Sequence, residues 1–144
     1  MYRCRHFQIH ELISERVFKE HGQTAWQFFD EKLLRTIDFI RHELNKPIYI
    51  NDWYNLGDLE QRGLRSNIDQ IVRTKTNQNK LYCSAHCYGQ AADFDVQGMT
   101  AEEVRQWLIL NSEGLPYSIR LEAGVNWVHL DVRDTGQKVY VFNP

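Results

Sequence analysis

One short stretch of the chain contains most of the residue types that bind metal ions or transfer protons. Residues 84–95 read Ser-Ala-His-Cys-Tyr-Gly-Gln-Ala-Ala-Asp-Phe-Asp, and a second histidine, His129, follows Trp127 further along. A catalytic zinc ion takes three nitrogen or oxygen ligands from the protein and keeps a fourth position for water. Two imidazoles and one carboxylate meet this requirement. We therefore expect His86, Asp93 and His129 to hold one zinc ion.

The alternation of apolar and ionisable residues predicts how these side chains meet. Apolar residues alternate with ionisable ones in residues 92–96, 119–122 and 128–132, so each predicted strand has one face of each kind. The ionisable residues on these strands are Asp93, Asp95, Arg120, Glu122, His129 and Asp131. If the apolar faces pack on a common core, the ionisable faces converge on one cleft. There we expect Glu122 to act on the water bound to zinc.

Two other metal sites are less compatible with the spacing of the residues. Cys83 and Cys87 flank His86, but this crowded trio would need a distant fourth ligand, and there is no further cysteine cluster. The odd number of cysteines indicates reduced thiols that pack as small apolar groups. His6 and His10 could share a helical face, but no third ligand of matching spacing accompanies them. We expect these two histidines to be solvated or hydrogen-bonded.

Length and composition are those of a single globular domain covering residues 1–144. The net charge of −2 does not favour a nucleic-acid partner. No apolar run approaches the length of a transmembrane span, and the first residues lack the apolar core of a secretory signal. We therefore expect a protein that is made in the cytoplasm and has no membrane partner.

Helices are predicted mainly in the first part of the chain. Apolar residues recur at helical spacing over 25–45, with Thr24 as the predicted cap. A weaker helix is predicted over 66–75. Thr100 and Glu103 form a capping box that begins a third helix.

Strands are predicted mainly in the second part of the chain. They cover residues 48–50, 92–96, 118–122, 127–132 and 138–142. Residues 134–137 are predicted to form a hairpin turn between the last two strands. The short turns favour antiparallel pairing, so the sequence predicts an α+β domain: a small, mostly antiparallel sheet with helices packed on one face.

The motif residues resemble those of the zinc D-Ala-D-Ala carboxypeptidase family, which includes D-Ala-D-Ala dipeptidases, phage endolysin peptidases and the hedgehog signalling domain. The signature S-x-H-x-x-G-x-A-x-D is met at every fixed position. These positions are Ser84, His86, Gly89, Ala91 and Asp93. The second signature, a tryptophan before a metal-binding histidine, is met by Trp127 and His129. The resemblance extends over most of the chain and implies the hedgehog/DD-peptidase fold.

The resemblance also implies roles for individual residues. The implied Zn²⁺ ligands are His86, Asp93 and His129. Many family members carry the general base three residues before the last histidine, where this chain has Asn126. Hedgehog-like and short phage members carry an acid on the preceding strand instead, which corresponds to Glu122. The substrate-binding arginine of the family corresponds to Arg65.

Four further residues are candidates for contact with substrate or with the metal ligands: Ser84, Asp95, Trp127 and Asp131. A zinc-bound histidine commonly donates its outer N–H to a carboxylate, and Asp95 or Asp131 could accept it. Alternatively, these acids could form ion pairs with Arg120 or Arg133, because acids of this kind serve both purposes.

The resemblance implies a zinc-dependent peptidase that hydrolyses peptidoglycan stem or cross-link peptides, of the D-Ala-D-Ala carboxypeptidase or endolysin type. The alternative is a catalytically impaired zinc-containing binding module or a structural part of a virion, since a fold alone does not fix function. The expected partner is a peptidoglycan peptide, and nothing in the sequence defines an oligomeric state. A phage-encoded protein that acts on the host cell wall would need no export signal of its own.

Overall fold

The computed structural model describes all 144 residues as an α+β domain, which confirms the predicted class. The four α-helices are α1 (Glu15–His21), α2 (Glu31–Leu44), α3 (Gln70–Asn77) and α4 (Ala101–Leu110). The five strands are β1 (Ile48–Tyr49), β2 (Ala91–Val96), β3 (Ile119–Glu122), β4 (Val128–Asp131) and β5 (Val139–Phe142). The 3₁₀ helices are Ile9–Glu11, Gly22–Phe28, Trp53–Asn55, Ala85–Tyr88 and Ser112–Gly114.

The sheet is mixed rather than mostly antiparallel, with the strand order β1-β2-β4-β3-β5. The β1–β2, β2–β4 and β3–β4 pairings are antiparallel, whereas β3 and β5 are parallel. The predicted hairpin at residues 134–137 is therefore wrong. Because β2 and β3 occupy both sides of β4, β5 cannot pair with β4, and it joins the sheet at the edge of β3. There the N–H of Ile119 donates to the carbonyl of Lys138 at 2.9 Å.

The long helix α2 begins at Glu31, later than the predicted start at residue 25. Asp30 caps it by accepting a hydrogen bond from the N–H of Lys32 at 2.9 Å. The residues before it form the 3₁₀ helix Gly22–Phe28, within which the hydroxyl of Thr24 donates to a backbone carbonyl rather than capping α2. The predicted helix is thus a 3₁₀ helix followed by the α-helix α2. Asp30, rather than Thr24, caps α2.

The other two predicted helices are both present. The Thr100 hydroxyl accepts from the N–H of Glu103 at 3.1 Å, and the Glu103 carboxylate accepts from the N–H of Thr100 at 2.9 Å, so the capping box at α4 is confirmed. Helix α3 begins at Gln70 rather than at Ser66, because Ser66 and Asp69 form a turn in which the Ser66 N–H donates to the Asp69 carboxylate.

The apolar sides of the strands pack into one core together with α2 and α4. Phe94 of β2 and Leu130 of β4 are almost completely buried there. The alternate residues, including Asp93 and His129, lie on the opposite side of the same strands. No helix combines the length and the hydrophobicity that a membrane crossing requires. The sheet therefore separates an apolar core from a face that carries the ionisable side chains.

Gly89 is a position where the backbone leaves no space for a side chain. Its φ is +67°, and a Cβ atom would lie 2.2 Å from the carbonyl oxygen of Phe28. Gly98 has a similar φ of +78°, but nothing lies within 4 Å of the corresponding Cβ position.

Substitution of Gly89 by alanine is expected to destabilise the protein more than substitution of Gly98. The left-handed conformation alone costs about 1–2 kcal/mol for an alanine, and this is the expected loss for Gly98→Ala. The added clash with the Phe28 backbone brings the expected loss for Gly89→Ala to about 3 kcal/mol or more. Urea unfolding of both variants measures the difference, and equal losses would show that the Phe28 contact adds nothing.

Candidate metal site

The three predicted ligands come together at one point on the ionisable face of the sheet. His86 lies on the 3₁₀ helix Ala85–Tyr88, Asp93 on β2 and His129 on β4. The β2–β4 register pairs Asp93 directly with His129. One ligand atom from each of the three residues lies within 4.8 Å of the others. No other group of three potential ligands forms in the chain, and this group could hold a metal ion.

The segment of residues 62–65 fixes two of these ligands from the side. The carbonyl of Arg62 accepts a hydrogen bond from the N–H of Asp93 at 2.7 Å. The carbonyl of Gly63 lies 2.8 Å from Nδ1 of His86. A side chain at Gly63 would collide with the Leu12 backbone, so the segment is itself held tightly against the core. Both ligands are therefore oriented by protein contacts alone.

The ring of His86 is arranged as a metal ligand requires. A carbonyl oxygen only accepts hydrogen bonds, so Nδ1 donates to Gly63 and Nε2 carries a lone pair. Nε2 is buried without a hydrogen-bond partner and lies 3.3 Å from Oδ2 of Asp93. In the neutral ring, two electron-rich atoms then face one another in a buried site, which is unfavourable unless a proton or a metal ion lies between them. This unpaired nitrogen fits a metal ion bound between His86 and Asp93.

The ring of His129 lies between two carboxylates. Its Nδ1 is 2.9 Å from Oδ1 of Asp93, and its Nε2 is 2.8 Å from Oδ2 of Asp131. Burial lowers the pKa of His129, but the hydrogen bonds to Asp131 and Asp93 outweigh burial and raise it to about 9. Conversely, burial raises the pKa of Asp93, yet its contacts with His129 and His86 hold it well below its usual range. A metal ion that binds Nδ1 must therefore displace a proton near neutral pH.

Asp131 fills both of the roles considered for it. It is fully buried, faces Nε2 of His129, and receives two hydrogen bonds from Arg120 at 2.8 and 2.9 Å. The ion pair with Arg120 keeps the carboxylate charged and oriented towards the histidine. Asp95 lies outside this chain of contacts, because its side chain is 53% exposed and pairs with Arg62 at 3.0 Å.

Substitution of Asp131 by asparagine is expected to weaken metal binding about 10- to 100-fold, the usual effect of losing the carboxylate behind a metal-bound histidine. Asp95→Asn is the matched control, because Asp95 does not contact either histidine, and its metal affinity should equal that of the unmodified protein. Titration against a chromogenic chelator measures both variants. Equal affinities for the two variants would show that Asp131 does not support His129.

The metal-binding group opens into a cavity of about 270 Å³. The other predicted site residues that line it are Arg65, Ser84, Glu122, Trp127 and Asp131. Glu122 enters from the end of β3, where the β3–β4 pairing leads it towards His129. A neighbouring cavity of about 490 Å³ shares Arg65, Asp93 and Trp127 with the first and is also lined by Asn126. The two cavities form one cleft with Glu122 on the metal side and Asn126 on the other.

Arg65 lies at the centre of this cleft and is held by several contacts. One guanidinium nitrogen is 3.3 Å from Oδ2 of Asp93. The others donate to the carbonyl of Gln61 at 2.8 Å and to the hydroxyl of Tyr82 at 2.6 Å. Ser84 has a local role, because its hydroxyl accepts from the N–H of His86 and begins the 3₁₀ helix that carries this ligand.

Sequence reasoning missed the contacts that orient the ligands. Gly63 acts through its carbonyl oxygen and Tyr82 through a single hydroxyl, and neither residue type signals such a contact.

Comparison of the chain with models of protein families, with curated proteins and with solved structures found no match. The fold and the site together define an α+β domain with a group of two histidines and one aspartate that could hold a metal ion.

Proposed function

We propose that the protein is a zinc-dependent peptidase that hydrolyses peptidoglycan stem or cross-link peptides. The observation that carries the proposal is the convergence of His86, Asp93 and His129 on a cavity that also contains Glu122. Two imidazoles and one carboxylate are a donor set that zinc accepts while keeping a position for water. The unpaired Nε2 of His86 further supports a bound cation.

Glu122, Arg65 and the bound metal would each have a chemical task in this reaction. Bound zinc supplies a Lewis acid and lowers the pKa of its water to about 7. Glu122 accepts a proton from the water that attacks the peptide carbonyl and returns it to the leaving amine. The guanidinium of Arg65, beside Asp93, stabilises the negative charge that develops on the carbonyl oxygen.

The choice of a peptidoglycan peptide depends on the motif rather than on the cavity. The residues Ser84, His86, Gly89, Ala91 and Asp93 match the signature of the D-Ala-D-Ala carboxypeptidase family at each fixed position. The cavity that contains the three candidate ligands adjoins the second cavity at Arg65, Asp93 and Trp127, so the cleft continues beyond the candidate metal site. This shape suits a short extended peptide whose scissile bond lies near the middle of the cleft.

A catalytically impaired zinc-containing binding module or virion component is the second candidate, and Asn126 is the observation that favours it. This residue lines the cleft where many members of the family have their acid. An amide cannot accept a proton at neutral pH. In such a module, the metal site and the cleft would bind a peptide without cutting it.

Digestion of purified peptidoglycan separates the two candidates. The zinc-loaded protein should release new peptide fragments that mass spectrometry identifies, and a chelator should abolish their release. The bond that is cut follows from the fragment masses. If the zinc-loaded protein releases no fragments but binds the same peptides in calorimetry, the peptidase proposal is rejected and the binding module is favoured.

A further inference from the structure

A buried arginine on α4 binds the backbone of the connection between β3 and β4. Arg105 is only 5% exposed. Its guanidinium donates to the carbonyls of Val125 and Trp127 at 3.1 Å each and reaches that of Glu122 at 3.5 Å. Its remaining nitrogen, Nε, pairs with the exposed carboxylate of Glu102 at 2.8 Å. One side chain thus contacts the beginning, the middle and the end of residues 122–127.

This connection joins residues that line the two cavities beside the candidate metal site. Glu122, the last residue of β3, directly precedes it, and Asn126 and Trp127 are its last two residues. Gly124 turns the chain with a φ of +77°. The N–H of Ala123 donates to β5 at 2.8 Å, which ties the first part of the connection to the sheet. The later part, which includes Trp127, is held by Arg105.

We propose that Arg105 is a positioning residue that sets the distance of Glu122 and Trp127 from the metal-binding group. The proposal rests on the proposed function, because Glu122 acts there as the general base. A guanidinium suits this task, since its planar fork presents five N–H donors in fixed directions. Three carbonyls bound by one rigid group keep their spacing, whereas an ammonium presents its three donors from a single point on a flexible stem and does not fix that spacing.

The conservative variant Arg105→Lys keeps the positive charge and removes the fork. None of the three metal ligands contacts Arg105, so the affinity for zinc should be unchanged. Displacement of a catalytic group by about 1 Å can cost on the order of 100-fold in rate. We therefore expect kcat for peptide hydrolysis to fall about 10- to 100-fold while KM changes little.

A second measurement does not depend on activity. The chain has four tryptophans, and labelling with 5-fluorotryptophan gives one ¹⁹F resonance for each. The resonance of Trp127 is assigned with Trp127→Phe. In Arg105→Lys, this resonance should shift or broaden, whereas that of Trp26, in the core beside α2, should stay in place. Glu102→Gln is the control, because it removes only the exposed partner and should leave both resonances and the kinetics unchanged.

Each outcome decides the proposal. An unchanged Trp127 resonance in Arg105→Lys overturns it, and so does a loss of dispersion for all four tryptophans, which would mean that Arg105 stabilises the whole fold. A Glu102→Gln variant that behaves like Arg105→Lys also overturns it. If the unmodified protein has no peptidase activity, the proposed function fails, but the ¹⁹F result still decides whether Arg105 positions this connection.

Discussion

Substitution of His86 by asparagine is expected to lower the affinity for zinc about 100- to 1,000-fold, because zinc sites gain about 10–16 kcal/mol from roughly four ligands. Asparagine is chosen because its side-chain amide can still donate to the carbonyl of Gly63, as Nδ1 of His86 does. The variant therefore removes the unpaired Nε2 and retains the contact that orients the residue. Titration with zinc in competition with a chelator measures the loss.

The matched control is His42→Asn. His42 is an exposed histidine near the end of α2 and belongs to no group of potential metal ligands. Its substitution should leave zinc affinity and urea unfolding unchanged. Circular dichroism of His86→Asn should show a folded protein. A folded His86→Asn variant that binds zinc as tightly as the His42→Asn control would contradict the proposed site.

Substitution of Glu122 by glutamine is expected to reduce peptide hydrolysis about 100- to 10,000-fold, the usual contribution of a general acid–base group. Zinc should remain bound, because the metal-binding group is made by His86, Asp93 and His129. The amide has nearly the same shape as the carboxylate and cannot accept the proton of the attacking water. The loss should appear in kcat, with little change in KM.

Glu113→Gln provides the comparison for this variant, because Glu113 is an exposed acid in the 3₁₀ helix Ser112–Gly114, outside the lining of both cavities. It should be fully active. Metal analysis of both purified proteins should give the same zinc content. If Glu122→Gln hydrolyses the substrate at the rate of the Glu113→Gln control, the proton acceptor is another group in the cleft.

Side-chain parity was sufficient to bring two of the three candidate ligands, Asp93 and His129, together. Alternation in β2 and β4 placed Asp93 and His129 on the same face as expected, and the pairing of these strands makes the two residues direct neighbours. Such a pattern is informative because a slip of one residue would turn the apolar side chains of both strands out of the core. His86 comes close to Asp93 because the 3₁₀ helix that carries it lies just before β2 in the chain.

Helix starts and the position of the last strand could not be predicted in the same way. Trp26 in the 3₁₀ helix and Phe29 directly after it are buried, as they would be in a longer α-helix, so their spacing did not reveal that α2 starts after Asp30. The alternation in β5 predicts a strand but says nothing about its neighbour. The strand β5 lies beside β3 because β2 and β3 already occupy both sides of β4. This order is a property of the whole sheet and cannot be seen in the residues of β5.

The segment of residues 62–65 has a consequence for the metal-free protein. It holds Asp93 through the carbonyl of Arg62 and His86 through that of Gly63, and neither contact involves the ion. Dialysis against a chelator should therefore give an intact apoprotein that can be reconstituted with cobalt, whose visible absorption spectrum would report directly on the coordination of the centre. If the proposed site holds a metal, exchange of that metal should require only ion entry and release, without refolding.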